Sequence, residues 1–288
     1  MKVYDWFQAL LSRIEPLQSE IERAEGHAQT IKSRLGQSFN LKKFMVAGSH
    51  SRGTAIKDFS DVDYFGVISR DDARKGDSYI SSSTMLSKIK KDLSERYTNT
   101  EVGIDGQSVI VKFGGGDFSV DVVPAIFWGM TSKNWPIYKM PDGYGEWMET
   151  SPEVHNKYLK QADQKSRGLL KYVVQLIKYW RECRNPRIPI SSFHIELLLA
   201  DYGLCNGAKS YSQCLTEAFQ LLAQRECRAY RDPVEISGNV VAVKTDNQRI
   251  SVLNTIIYAR DHAKAALYAE SQNDYGEAIR QWKIVFNQ

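Results

Sequence analysis

Apolar positions Leu10, Ile14, Leu17, Ile21, Ile31 and Leu35 recur near a 3.6-residue period with charge between them, and predict helix from Trp6 to Leu35. Pro16 interrupts that stripe and should kink the helix or start a second one. Gly36 then reads as its C-terminal stop. The pattern next changes to short apolar runs. Phe44–Ala47 and the stretch Val62, Tyr64, Phe65, Val67, Ile68 are strand candidates, and Ser83–Tyr97 reads as a polar helix. Val109–Phe113 and Phe118–Val123 predict neighbouring strands joined by a turn at Gly114–Asp117, with Pro124 ending the second. Pro136, Pro141, Gly143, Gly145 and Pro152 mark an irregular crossing segment.

Beyond that segment the period is helical. Leu169, Leu170, Val173, Leu176, Ile177 and Trp180 form an apolar stripe, with Lys171, Gln175 and Lys178 on the opposite, polar side. Further helices are expected at Ser192–Leu204, Ser212–Glu226, Asn247–Ser271 and Tyr275–Phe286. The chain therefore reads as α+β: a mixed α/β half, residues 1–150 with a long N-terminal helix, and a helical half, residues 151–288.

Composition narrows the picture only modestly. Among 288 residues, 42% are hydrophobic and 25% charged, an ordinary globular balance. The net charge of +4 does not describe a protein that coats nucleic acid, yet it allows a local basic cleft for anionic substrates. Cys183, Cys205, Cys214 and Cys227 form no CxxC and have no His at metal-ligand spacing, so they read as reduced, packed thiols. The N-terminus carries Asp5, Arg13 and Glu15 and lacks a signal-peptide core, and no run of about 18 apolar residues is present. A cytoplasmic protein without a membrane span is the expectation.

The candidate chemistry is concentrated between Gly48 and Asp63. Side chains alternate along a strand, so Asp61 and Asp63 project to one face while Val62 packs behind. Two adjacent carboxylates repel and are poor strand formers, and a cation between them would remove the cost. Oxygen ligands of this kind suit Mg²⁺, with Mn²⁺ as the alternative. Asp121 is a third carboxylate, flanked by Val120 and Val122 on a predicted strand that shares its face with Ser119 and Val123. If that strand lies beside the Asp61/Asp63 strand, three carboxylates converge, enough for two metals about 4 Å apart. Gly48-Ser49 follows a strand, and its backbone N–H groups and hydroxyl suit a phosphate chain. Arg52 and Lys57 make the same loop basic. Separately, Gly-Ser is commonly a turn and Asp-x-Asp a solvated loop or a glycosyltransferase metal motif. Their order, together with Gly53-Thr54 and the later strand Asp, is what selects nucleotidyl transfer.

At these residues the sequence resembles the DNA-polymerase-beta-like nucleotidyltransferase superfamily, and in detail the CD-NTase family, bacterial relatives of cyclic GMP-AMP synthase that make cyclic oligonucleotides in anti-phage (CBASS) defence. Val120–Ala125, Leu176–Trp180, Ser191–Glu196, and Asp232-Pro233 with Asn239 extend the similarity over most of residues 44–245. The resemblance implies a mixed-sheet catalytic core with a C-terminal helical domain. It also implies that Gly48 and Ser49 contact the donor triphosphate, that Asp61, Asp63 and Asp121 bind metal, and that Lys178 and Ser192 reach the triphosphate from the helical half. The residues alone leave other readings open: Lys178 as a solvated face residue, Ser192 as a helix N-cap, His194 as a packed helix residue. The zinc-binding insertion of the animal enzyme has no counterpart here, so no nucleic-acid activator is expected.

The implied reaction joins nucleoside triphosphates, ATP and UTP favoured, with loss of pyrophosphate. The product would be a cyclic di- or trinucleotide that acts on a downstream effector, the enzyme itself being monomeric. Tyr144, Tyr172 and Tyr179 are candidates for base stacking. Alternatives are transfer to an RNA or protein acceptor, and a catalytically silent nucleotide-binding scaffold, against which the retention of all three carboxylates counts.

Overall fold

The computed structural model describes residues 1–59, 61–114 and 119–288. Ser60, Phe118 and most of the turn expected at Gly114–Asp117 lie outside the described residues. In chain order the elements are α1 (Val3–Ile14), α2 (Gln18–Ser38), β1 (Leu41–Val46), α3 (Gly48–Arg52), β2 (Val62–Ile68), β3 (Arg74–Lys75), β4 (Ser78–Tyr79), α4 (Ser82–Arg96), β5 (Glu101–Asp105), β6 (Ser108–Lys112), β7 (Val120–Met130), β8 (Pro136–Pro141) and β9 (Trp147–Thr150). The rest is mostly helical: α5 (Pro152–Lys165), α6 (Leu169–Glu182), α7 (Ser192–Asp201), α8 (Tyr211–Gln224), the short β10 (Tyr230–Arg231) and β11 (Asn239–Val240), α9 (Asp246–Ser271) and α10 (Tyr275–Val285). The fold is α+β, as the periodicity indicates. No helix among the described residues is long and apolar enough to cross a membrane.

The chain forms two compact units, Pro16–Asn156 on one hand and Met1–Glu15 with Lys157–Gln288 on the other. Pro16 thus separates two helices rather than kinking one, and α1 groups with the C-terminal helices.

In the first unit the sheet order is β1-β2-β7-β6-β5, with β8 on β7 and β9 on β8. β2 and β7 run parallel, with Asp63 opposite Asp121 and Val62 opposite Val120; the remaining pairs are antiparallel. Val62, Tyr64, Val109, Val111, Val120 and Val122 point from the sheet into one core, which α2 and α4 complete with Ile31, Leu35, Met85, Ile89 and Leu93. Alternation sends Phe65, Val67 and Ala125 to the opposite face, where they pack with Ala47 and Tyr138.

Several local expectations fail for identifiable reasons. Gly36 does not stop α2, which runs on to Ser38; the Ile31/Leu35 stripe is buried, and a mid-helix glycine costs only about 1 kcal/mol. Pro124 does not end β7. It faces Gly66 of β2 at the point where the other edge passes from β6, which pairs Val120–Val122, to β8, which pairs Ile126–Met130. The segment expected to be irregular contains β8 and β9. Pro136 and Pro141 terminate β8, where a missing N–H is tolerated, and Pro152 opens α5 at the position where helices accept proline.

In the second unit, Trp6 and Phe7 of α1 pack against Trp282 and Phe286, and Trp180 of α6 meets Phe219 of α8 edge-on. α6 is buried nearly all round. Gln175 and Lys178, expected on the polar side of the helix, are only 5% and 6% exposed, which excludes the reading of Lys178 as a solvated face residue. The four cysteines are free thiols, three of them buried.

Leu93 is fully buried where α4 packs on the first core. Leu93→Ala should therefore lower unfolding stability by roughly 2–5 kcal/mol, measured by urea denaturation.

Candidate active site

The site grows from one consequence of strand alternation. Val62 and Val120 turn into the core, so Asp63 and Asp121, their neighbours in register, turn together to the other face. Asp61 lies just before β2, exposed, on the same side of the alternation as Asp63. The strand pairing on which the sequence makes that convergence conditional is present, with Asp63 beside Asp121.

Each carboxylate is fixed by a different contact. Ser119, two residues before Asp121, donates its hydroxyl to Asp61 Oδ1. Ser108 on β6 donates to Asp121 Oδ2 at 3.2 Å; it lies diagonally across the ladder, two residues from Ile110, which pairs with Asp121. Asp63 packs against Gly48. A Cβ built on Gly48 would come within 1.7 Å of Asp63 Oδ2, and Gly48 has φ +57, a left-handed conformation that disfavours any side chain. The glycine therefore serves a close approach to a carboxylate, a role distinct from the phosphate approach read from sequence. A backbone hydrogen bond from Ala47 N to Asp63 O (2.8 Å) ties the start of the loop to β2.

Gly48-Ser49 opens the short helix α3 rather than a simple turn. α3 is closed by Gly53 in the left-handed conformation. Ser51 Oγ bonds Gly48 O, Asn156 Nδ2 donates to Ser51 Oγ at 3.0 Å, and Arg52 Nη1 reaches Asn156 Oδ1 at 3.4 Å. The loop is thus anchored to the first turns of α5.

The electrostatics follow from the crowding. Burial first, and then the negative charges of Asp61 and Asp63, push the Asp121 carboxyl up to about 7; the Ser108 hydrogen bond opposes this. Asp121 Oδ1 is buried and has no hydrogen-bond partner. An unmatched buried carboxylate oxygen beside two further carboxylates is a donor set suited to a hard divalent cation. Among the described residues no three His, Cys, Asp or Glu side chains are gathered tightly enough to enclose an ion.

Lys178 and Ser192 belong to the other unit. Arg181, one turn after Lys178 on α6, donates to Ser192 Oγ and pairs with Glu182. The N-cap of α7 is Ser191, whose hydroxyl accepts from His194 N, so Ser192 is not the cap. His194 is fully buried against Tyr230, and burial holds its imidazole down to about 4, neutral at physiological pH. Asp232 is buried and accepts from the backbone N–H groups of Val234, Ile236 and Ser237, which makes it the organiser of its loop. Of the tyrosines, Tyr179 stacks on Phe286 while Tyr144 is 79% exposed. Ser108 and Ser119 are the contacts that motif reading misses. Ser119 shares strand parity with Asp121, whereas nothing in the sequence marks Ser108.

Between about pH 4 and about pH 7 the folded protein binds a proton at Asp121 that the unfolded chain has released, so stability from this group falls as pH rises through that window. In urea titrations with EDTA, the stability of wild type minus that of Asp121→Asn should decline from about pH 4 to about pH 7 and then level off. A difference that stays flat, or that rises, contradicts the burial argument.

The sequence matches the family model of the Second Messenger Oligonucleotide or Dinucleotide Synthetase domain over residues 1–163. It is 27% identical over 274 residues to a probable cyclic nucleotide synthase of Bacillus cereus (strain VD146), covering 85% of this chain and 81% of that one. It is 26% identical over 277 residues to the cyclic AMP-AMP-AMP synthase of Escherichia coli (strain MS 115-1), covering 86% and 83%. The fold is similar to the solved structure of E. coli MS115-1 CdnC with ATP, at a TM-score of 0.76 and 23% identity over 99% of this chain and 98% of that one. A family match over more than half the chain, on a fold that pairs the carboxylate strands side by side, identifies the chain as a member of the Second Messenger Oligonucleotide or Dinucleotide Synthetase family, a CD-NTase nucleotidyltransferase of the cyclic-oligonucleotide-synthase type.

Proposed function

We propose that this chain links nucleoside triphosphates into a small cyclic oligonucleotide with release of pyrophosphate, in an Mg²⁺-dependent reaction, and that the product carries a defence signal to a downstream effector. One observation carries the reading: Asp63 and Asp121 face each other across a parallel ladder with Asp61 alongside, and a buried Asp121 oxygen has no protein partner. Asp61, Asp63 and Asp121 would hold Mg²⁺, or Mn²⁺ in its place. Bound there, the ions would lower the pKa of the attacking hydroxyl and offset charge on the leaving pyrophosphate.

The other steps fall to the chain's own groups. The Ser49 hydroxyl and the N–H groups of the loop it begins would bind the donor triphosphate. The absence of a side chain on Gly48 supports this, because it lets that loop lie against Asp63. Lys178 and Ser192 would take the triphosphate from the helical unit. These groups would hold a flexible polyanion in a single orientation, and positioning together with electrostatic stabilisation is what a protein supplies to phosphoryl transfer.

The size of the product admits two readings. Motif resemblance to the smaller clades favours a cyclic dinucleotide containing adenine or uracil. The E. coli relative named cyclic AMP-AMP-AMP synthase, alike over most of both chains, favours a cyclic trinucleotide of adenine.

Incubation with labelled ATP, GTP, CTP and UTP and no acceptor should yield a phosphatase-resistant small product and pyrophosphate in step. Asp61→Asn with Asp63→Asn should reduce pyrophosphate release by at least about a thousandfold, the scale of losing transition-state electrostatics. Full turnover in that double variant, or label appearing on added RNA or protein instead, contradicts the proposal.

A further inference from the structure

Ser108 stands outside the Gly-Ser and Asp-x-Asp motifs, yet it is the residue that touches the third carboxylate. It is 7% exposed at the start of β6, on the sheet face of Asp121, while its neighbours Val109 and Val111 turn into the opposite core. Its hydroxyl has a single hydrogen and two acceptors in reach, Asp121 Oδ2 at 3.2 Å and Asp105 O at 3.3 Å. An ionised carboxylate is the stronger acceptor, so the hydrogen goes to Asp121 whenever that group is charged. The bond leaves the two Asp121 oxygens unequal: Oδ2 is tied to β6, and Oδ1 is buried and unpartnered.

We infer that Ser108 is a positioning residue for the nucleotidyl-transfer site, fixing the rotation of the Asp121 carboxyl so that one oxygen is held by the sheet and the other is reserved for a divalent cation. The inference rests on the carboxylate reading proposed above. A terminal carboxyl torsion is broad, with two nearly equivalent orientations, so a free carboxyl would distribute its oxygens between both roles. A hydrogen bond to one oxygen removes that freedom before the ion arrives. Partners of metal ligands behave in this way, and their loss weakens metal affinity by roughly ten- to a hundredfold. Strand geometry makes Ser108 suited to the task. Ile110 directly opposes Asp121, and the diagonal position two residues away places the short Ser108 hydroxyl beside the carboxylate.

The test uses Mn²⁺ alone, titrated into the full chain without nucleotide and followed by the electron paramagnetic resonance signal of free Mn²⁺. Ser108→Ala should raise the Mn²⁺ dissociation constant roughly ten- to a hundredfold. Ser108→Cys, which is only slightly larger and replaces the strong donor by a weak one, should do the same, and Ser108→Thr should bind close to wild type. In turnover assays the metal concentration for half-maximal rate should rise for Ala and Cys, with the rate at saturating metal largely kept. Wild-type Mn²⁺ affinity in both Ser108→Ala and Ser108→Cys, with affinity lost in Asp121→Asn, overturns the role of Ser108 and leaves the carboxylate reading intact. A Ser108→Thr variant as weak as Ser108→Ala also overturns it, since the hydroxyl would then not be the operative group. Unchanged affinity in Asp121→Asn itself removes the carboxylate reading and this inference together.

Discussion

Mutual repulsion of carboxylates across a parallel ladder is the constraint around which the catalytic unit is arranged. Asp121 carries the largest cost, and burial adds to the repulsion there as the greater cause: the rise of its carboxyl to about 7 corresponds to on the order of 4 kcal/mol of bias against the charged form, burial and the charges of Asp61 and Asp63 together. Solvent screens exposed ion pairs such as Lys112–Glu101, so they do not offset it. The cost is met by the core behind. Val62, Val120 and Val122 occupy the alternate positions of the same two strands, and their burial against α2 and α4 holds the ladder in register whatever charge the facing side chains carry. A strand slip of one residue would turn Asp63 or Asp121 into the core in place of Val62 or Val120, so the register that builds the core also builds the site.

Around that ladder every supporting feature limits how the carboxylates can relax. Ser119 and Ser108 each take one oxygen, and Gly48 leaves a gap that Asp63 fills. The Asn156 contacts to Ser51 and Arg52 hold the loop against its own unit. A site constrained in this way has little freedom to separate its negative charges, and a divalent cation becomes the most effective means of relieving them. The metal binding proposed for it and the raised Asp121 carboxyl follow from one arrangement.

The sequence made some of this legible and concealed the rest for physical reasons. Long amphipathic segments read cleanly because burial on one face imposes a period; α4, α8, α9 and α10 fall within a few residues of their expected bounds. The Asp61/Asp63 pair and Asp121 read cleanly because charged residues in apolar strands are conspicuous. Proline misled wherever its context was tertiary: Pro124 sits inside β7 at a gap in pairing, and Pro152 begins a helix that periodicity left unmarked. The polar side of α6 misled likewise, since Gln175 and Lys178 are buried in a helix that is covered nearly all round. Ser108 was invisible because its importance comes from a diagonal strand contact, and register across a sheet is not written in local spacing.

The most direct test of the central claim is a crystal structure of the protein grown with Mn²⁺ and a non-hydrolysable nucleoside triphosphate, with the manganese located by anomalous scattering. The account predicts manganese bound by carboxyl oxygens of Asp61, Asp63 and Asp121, with Asp121 Oδ1 as a ligand and Oδ2 still on Ser108. Manganese coordinated only by phosphate and water, with the Asp121 carboxyl turned away, would contradict it.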